Sequence, residues 1–288
     1  MTGRPRPGPG APGGGQLAGP STAWSERLSV CQYSSRGYSL DQDLDLWRHT
    51  GVRRVAVSLP KLLAAGIDRG LDALAAEGLR VDSVVAGAAF DLTDRPSWDE
   101  GRTRLAQAVD AAGRLGATAV QTTGGTARGR PFAEAAAAFG EALAPVADRA
   151  RAARVAIALE PVRPQFAYAG FVHTLADGLA VARAHDLGLV VDTAHVWWEP
   201  GWPAALAEAA SLAVTVQVAD LRFDGPVLER VVPGDGELAL AETLRTLTAA
   251  GYEGPFELEI IGRGVDEEGY ESAILRSLTH LQSFVDGA

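Results

Sequence analysis

The sequence has little of three features that would each indicate a different class of protein. Its one cysteine, Cys31, allows no internal disulfide, which fits a reducing compartment. No apolar run reaches the roughly 18 residues of a membrane span. The formal net charge is −10, and Lys and Arg are not clustered as on a nucleic-acid surface. We therefore expect a cytoplasmic protein that binds a small molecule, with neither a membrane nor a nucleic acid as partner.

The order of apolar patterns indicates the fold class. Short apolar or β-branched runs alternate with longer amphipathic stretches, and glycine follows several of the latter. The predicted strands are Leu28–Gln32, Arg54–Ser58, Val81–Ala86, Ala119–Thr122, Val155–Glu160, Leu189–Asp192, Val214–Val218 and Phe256–Ile260. The predicted helices are Leu40–Thr50, Ile67–Glu77, Trp98–Leu115, Phe132–Ala153, Val172–Ala184, Pro203–Ala210, Leu238–Ala250 and Tyr270–Phe284. Eight such units within 288 residues predict an α/β protein, a (β/α)8 TIM barrel of one domain.

Two further features bear on organisation. Residues 1–24 are rich in Gly and Pro and lack the apolar centre of a secretory signal, so they are predicted to be a disordered tail before a barrel domain at 25–288. An open, doubly wound sheet is the alternative architecture. The first predicted strand-to-helix turn lacks the Gly-rich phosphate fingerprint of that fold, which favours the barrel.

Four acidic or amide residues come at the ends of successive predicted strands: Glu160, Asp192, Gln217 and Glu259. Strands five to eight are neighbours in a barrel, and the ends of parallel strands carry the active site. Buried carboxylates repel one another and are costly to desolvate unless a cation lies among them. Oxygen ligands suit Mg²⁺ or Mn²⁺. These four residues are therefore predicted to bind a divalent metal; the alternative, that each is a helix cap or surface residue, is weaker for all four together.

Residues that follow these strand ends are candidates for substrate contact. His195 comes three residues after Asp192, and Trp197 and Trp198 follow it, either shaping the pocket or covering the barrel mouth. Arg230 precedes a glycine-bounded turn that could direct its guanidinium to the site, where it suits oxyanions or polyols. Arg222 competes with Arg230 for this role.

The second half of the chain resembles the xylose-isomerase-like sugar phosphate isomerase/epimerase superfamily, which includes ketose 3-epimerases and inosose dehydratases. The motifs that carry the resemblance are Ala158-Leu-Glu-Pro161, Val191-Asp-Thr-Ala-His-Val-Trp-Trp198, Val216-Gln-Val-Ala-Asp220, Glu229-Arg-Val-Val-Pro-Gly-Asp-Gly-Glu-Leu238 and Gly251-Tyr-Glu-Gly-Pro-Phe-Glu-Leu-Glu-Ile260. The first half is similar only in its strand–helix rhythm. The resemblance implies a TIM barrel that binds a divalent ion through the four strand-end residues.

The resemblance also implies roles. Glu160 and Glu259 match the acid/base pair that exchanges a proton beside a carbonyl through an enediolate, and His195 and Arg230 match positions that contact substrate oxygens. Many relatives have His where this chain has Gln217, so an all-oxygen ligand set favours Mn²⁺ or Mg²⁺ over Zn²⁺. Hydride-shifting aldose isomerases have a Lys shortly after the strand-five Glu. This chain has Arg163 there, which favours proton transfer, and Arg163 and Trp197 are included among the predicted substrate-binding residues.

The expected function is a metal-dependent isomerase or epimerase of carbohydrate metabolism, acting on a sugar-like hydroxy-carbonyl compound. A dehydratase of an inosose-like or specialised-metabolite substrate stays open, as does a non-catalytic ligand-binding barrel. An apurinic-site endonuclease would need several His ligands and a basic face. The chain has only five His and a net charge of −10, which disfavours that function. Tyr33, Ser35 and Gln121, at or beyond early strand ends, are weaker candidates for substrate contact. Relatives are often dimers or tetramers, which leaves a homo-oligomer open.

Overall fold

The computed structural model describes residues 23–225 and 228–285. Its centre is a closed barrel of eight parallel strands, each paired with the next in the chain, and the last paired with the first. The strands are β1 (Leu28–Cys31), β2 (Arg54–Ser58), β3 (Arg80–Gly87), β4 (Ala119–Thr122), β5 (Ala156–Leu159), β6 (Gly188–Asp192), β7 (Ala213–Val218) and β8 (Phe256–Leu258). The predicted barrel is confirmed, whereas the predicted tail falls mostly on residues 1–22, outside the described part of the chain.

Helices surround the barrel. They are α1 (Leu40–Thr50), α2 (Leu59–Ala65), α3 (Ile67–Ala76), α4 (Trp98–Leu115), α5 (Phe132–Ala153), α6 (Leu175–His185), α7 (Thr193–Val196), α8 (Trp202–Ala209), α9 (Leu240–Ala249), α10 (Arg263–Glu268) and α11 (Tyr270–Val285). Local sequence explains their ends. At α1, Ser39 and Gln42 form a reciprocal capping box, and Gly51 ends the helix with a φ of 72°.

Three short helices, α2, α7 and α10, were not predicted. Helix α2 begins directly after β2 with Pro60 in its first turn, and Gly66 at a φ of 83° separates it from α3. No loop separates α2 from β2, and the N-cap residue Ser58 forms no capping hydrogen bond through its side chain. Helix α6 was predicted to begin at Val172. It begins instead after Thr174, whose side chain accepts a hydrogen bond from the Asp177 backbone N–H and caps the helix.

The barrel interior is unusually polar beneath the strand ends. Ser29, Gln121, Thr215, Gln217 and Glu257 are all buried there, and Ser29, Gln217 and Glu257 are partners in register across β1, β8 and β7. The apolar core lies mainly between the outer face of the barrel and the helices. Val57, Leu159 and Leu189 are strand residues that belong to this core. The stable outer shell thus supports an interior able to hold ionisable and amide groups.

An antiparallel hairpin, Asp220–Arg222 with Glu229–Val231, extends from the end of β7. Asp220 anchors it: its carboxylate accepts hydrogen bonds from the backbone N–H groups of Leu221, Gly234, Gly236 and Leu238 at 2.9 to 3.2 Å. The hairpin carries Arg230 towards the barrel. A second short pair, Phe90–Asp91 with Gly125–Thr126, follows β3 and β4. Among the described residues, no helix has the length and apolar character needed to cross a membrane.

Candidate active site

Glu160, Asp192 and His195 come together at the ends of β5 and β6. Asp192 is the last residue of β6, and its Oδ1 accepts a hydrogen bond from the Ala194 N–H at 2.8 Å. This cap starts the single turn of α7, which brings His195 back over the barrel. His195 Nε2 lies 3.5 Å from Glu160 Oε1 and 3.6 Å from Asp192 Oδ2. One potential ligand atom from each of the three residues lies within 4.8 Å of the others, so they form a candidate metal centre.

Arg230 joins this cluster to the end of β8. Its Nη2 donates to Asp192 Oδ2 at 2.5 Å and lies 3.1 Å from His195 Nε2. Its Nη1 donates to the side-chain Oε2 and the backbone oxygen of Glu259, both at 3.1 Å. Arg230 is therefore a buried cation between two of the carboxylates that the sequence predicted as ligands. Five of the predicted site residues, Glu160, Asp192, His195, Arg230 and Glu259, occupy one end of the barrel.

Gln217 lies on β7, between β6 and β8, and residues of the barrel interior hold its side-chain amide. Its Nε2 donates to Gln121 Oε1 and to Glu257 Oε1, both at 3.0 Å. Its Oε1 is buried and has no hydrogen-bond partner among the described residues. An orphaned buried acceptor is costly unless something binds it. The free amide oxygen, in register with Asp192, is what an oxygen ligand to a hard cation requires, so the residues present fit a divalent ion.

Burial and mutual repulsion control the charges of this cluster. Burial, then the Glu259 and Asp192 carboxylates, raise the pKa of Glu160 well above its ordinary value. Burial also raises the pKa of Glu259, although Arg230 opposes the shift. Burial disfavours the charge of Arg230, but Asp192, Glu259 and Glu160 outweigh it and raise its pKa. Burial lowers the pKa of His195 to about 3, so its imidazole is neutral at neutral pH and can bind a cation or accept a hydrogen bond.

The remaining predicted residues lie around this centre. Arg163 is buried, and its backbone N–H faces His195 Nδ1 at 3.5 Å. Trp197 packs edge-on against Phe223 with ring centroids 4.7 Å apart, and both line a side cavity of about 230 Å³ with Trp202. Trp198 is 38% exposed and donates to the His195 backbone oxygen. Arg163 is thus beside the centre, whereas the Trp197 ring belongs to the hairpin side of the mouth.

The weaker candidates for substrate contact, Tyr33, Ser35, Gln121 and Arg222, have different surroundings. Ser35 Oγ donates to Asp43 Oδ1 at 2.5 Å, in a buried network that also contains Lys61. Gln121 lies in the barrel interior, where it contacts Glu257 and Gln217. The Tyr33 hydroxyl has a pKa raised chiefly by burial. Arg222 is exposed.

Two residues that support the site were not singled out from the sequence. Asp220 holds the turn behind Arg230, and Glu257 holds the amide of Gln217. Burial raises the pKa of Glu257 to about 7, although hydrogen bonds from Gln217 and Gln121 favour its charged form. A sequence signal existed for Glu257, because residues two apart on a strand face the same side and Glu259 was already assigned to the barrel.

Comparison with known proteins agrees with the barrel fold. A family model described as xylose isomerase-like TIM barrel matches residues 44–283. A solved protein of Sinorhizobium meliloti 1021 is similar at 24% identity and a TM-score of 0.81, covering 90% of this chain and 98% of its own. The IOLI protein with a bound zinc atom is 21% identical with a TM-score of 0.80, covering 91% and 98%.

A third solved structure, an L-ribulose 3-epimerase, is 22% identical with a TM-score of 0.69 and covers 90% of this chain and 93% of its own. A search of curated proteins gives no match. At these identities the solved structures establish the shared fold, and the family model spans most of the chain.

Proposed function

Because the chain belongs to the xylose isomerase-like TIM barrel family, we propose that it is a divalent-metal-dependent isomerase or epimerase. Its substrate is a sugar-like hydroxy-carbonyl compound, and its reaction is proton transfer at the carbon beside the carbonyl. The observation that carries the proposal is the convergence of Glu160, Asp192, His195, Arg230 and Glu259 in one buried cluster. That a structural neighbour is an L-ribulose 3-epimerase supports the same chemistry.

The ligands are Glu160, Asp192, Gln217 and Glu259, and the ion is Mn²⁺ or Mg²⁺. A bound divalent ion polarises the substrate carbonyl and stabilises the negative charge of an enediolate. The free Oε1 of Gln217 and the close approach of Glu160 to Asp192 support this assignment. His195 Nε2 is near enough to complete or replace one of these ligands.

Glu160 and Glu259 move the proton. They follow β5 and β8, the two outer strands of the four-strand arc β5–β8, so they approach a bound substrate from different sides. Burial raises the pKa of both, which makes each a stronger base when ionised and brings it nearer to working pH. One carboxylate removes the proton and the carboxyl of the other returns one to the opposite face, giving the epimer.

Arg230 and His195 bind the substrate oxygens. Arg230 carries permanent positive charge beside Asp192 and Glu259, and its guanidinium N–H groups donate to oxygens that gain negative charge. The neutral His195 donates or accepts one hydrogen bond without adding charge. Both are buried, so their hydrogen bonds to a substrate compete little with bulk water.

The test is C–H exchange in D₂O. The purified protein is stripped of metal, reloaded with Mn²⁺ or Mg²⁺, and incubated with L-ribulose and D-fructose while ¹H NMR follows the protons beside the carbonyl. Metal-dependent loss of one such signal supports the proposal, and a product lighter by one water assigns the dehydratase chemistry instead. If exchange is the same with the chelator EDTA as with metal, the proposed function is wrong.

A further inference from the structure

Arg163 carries a buried positive charge for which the described residues supply no ion-pair partner. It lies three residues after Glu160 and is only 5% exposed. Its Nε and Nη1 have no hydrogen-bond partner in the described part of the chain. The five N–H donors of a guanidinium are normally paired when buried, since an unpaired internal cation strongly destabilises a fold. A group other than the described residues is therefore needed to complete this side chain.

The surroundings of Arg163 locate that group beside the reaction centre. Its guanidinium carbon lies 5.3 Å from the centre of the Phe166 ring, and that ring packs against the His195 ring with centroids 5.2 Å apart. The Arg163 backbone N–H also faces His195 Nδ1 at 3.5 Å. An aromatic face holds the flat guanidinium in place but supplies no hydrogen-bond acceptor. Arg163 is thus held in position next to the substrate-binding face of His195, with donors to spare.

The charge balance of the site gives the chemistry of the missing group. Arg230 forms ion pairs with Asp192 and Glu259, whereas Arg163 forms no ion pair with the described residues. The single positive charge of Arg163 is therefore left unbalanced in a buried space. A singly charged anion balances it, whereas a neutral ketose does not and a phosphate dianion exceeds it.

We propose that Arg163 binds a carboxylate of the substrate, so that the substrate is a keto-sugar acid rather than a neutral ketose. This inference rests on the proposed function. The carboxylate lies away from the reacting carbonyl, on the Phe166 side of His195. A guanidinium suits it because its planar donors match carboxylate oxygens in pairs, which a lysine ammonium cannot do.

The test compares three probes built on one ketose: D-fructose, D-fructuronate and D-fructose 6-phosphate. They differ only in the group at carbon 6, which is a neutral hydroxyl, a carboxylate or a phosphate. Isothermal titration measures their Kd for the Mn²⁺-loaded protein. We expect D-fructuronate to bind at least about tenfold tighter than D-fructose, as one charged hydrogen-bonded pair allows. The variant Arg163→Met should lose this preference, and Arg163→Lys should retain part of it.

Arg151→Met, which removes an exposed arginine on α5, is the matched control and should keep the preference. Equal affinity for the three probes, including no measurable binding of any, overturns the inference, as does a preference that survives in Arg163→Met. Tightest binding of the phosphate, lost in Arg163→Met, overturns the assignment to a carboxylate. The D₂O exchange with neutral ketoses is read separately: exchange without a carboxylate preference removes this inference and leaves the proposed function standing.

Discussion

At the scale of single residues, the orientation of one amide determines how the site can bind a metal. Gln217 uses both N–H groups of its amide on acceptors in the barrel interior, Gln121 Oε1 and Glu257 Oε1. Its Oε1 therefore stays free of hydrogen bonds to the described residues. If Glu257 became a donor, the amide would gain by turning over, and an N–H would replace the oxygen that faces the cation. Glu257 is thus a positioning residue.

The variant Glu257→Gln is expected to weaken Mn²⁺ binding by about 10- to 100-fold, as loss of a group that orients a ligand commonly does. Isothermal titration or the electron paramagnetic resonance signal of free Mn²⁺ measures it directly, without substrate. Ser29→Ala is the control. Ser29 is buried in the same interior, in register with Glu257, and its Oγ has no partner among the described residues. Equal Mn²⁺ affinity in Glu257→Gln and the wild type would show that Glu257 does not orient Gln217.

The two terminal glutamates give a second prediction at this scale. Glu160→Gln and Glu259→Gln should each lower the deuterium exchange rate by at least about 100-fold, because the amide neither takes nor returns a proton. The volume of the side chain is unchanged, so far-ultraviolet circular dichroism should match the wild type. Full exchange activity in either variant would refute the acid/base assignment while leaving the barrel intact.

At the scale of structural elements, the hairpin after β7 supplies Arg230, and Asp220 holds the turn that follows it. The Asp220 carboxylate is buried and accepts four backbone hydrogen bonds. The next turn is also closely packed, since a Cβ at Gly236 would come within 2.3 Å of Asp220 Oδ1. The position of Arg230 therefore depends on a carboxylate that binds backbone N–H groups rather than Arg230 itself.

Removal of that carboxylate in Asp220→Ala leaves backbone donors without an acceptor and is expected to cost about 2 kcal/mol or more in the free energy of unfolding. Urea denaturation measures it, with Asp224→Ala, an exposed residue of the same hairpin, as the control. The displaced Arg230 should also raise KM in the exchange assay. A variant of wild-type stability and KM would mean that the hairpin keeps its shape without Asp220.

The elements also show what the sequence could and could not predict. The eight strands and most helices were predictable because periodicity and caps are local signals, as at Ser39 and Gly51. The start of α3 at Ile67 was predicted, whereas helix α2 was missed because it follows β2 without an intervening loop. The pairing of Arg230 with Asp192 and Glu259 depends on the path of the hairpin in space, so the sequence indicated the residues but not their contacts.

At the scale of the whole molecule, the buried carboxylates make both the folding stability and the binding of a metal ion depend on pH. Burial raises the pKa of Glu160 and Glu259 above the ordinary value, so the folded metal-free protein binds protons more strongly than the unfolded chain. The stabilising contribution of these protons is complete below the ordinary glutamate pKa and is lost as pH rises through the raised values. A divalent ion binds the ionised carboxylates and must displace these protons.

The rise in Tm caused by Mn²⁺ should therefore be larger at about pH 8 than at about pH 5.5. With the ion at roughly a hundred times its Kd at about pH 8, we expect a rise of about 5 °C or more. Differential scanning calorimetry with EDTA or MnCl₂ at each pH measures it. A larger rise at the lower pH would contradict the assignment of the buried carboxylates as ligands.

The most direct test of the account is the position of the ion itself. A crystal of the protein grown with Mn²⁺ is measured for anomalous scattering at the manganese edge. The account predicts one strong peak per chain, within bonding distance of Glu160, Asp192, Gln217 Oε1 and Glu259, with Arg230 displaced from one carboxylate. A peak elsewhere, or none at saturating Mn²⁺, would contradict the claim that these strand-end residues form a metal centre.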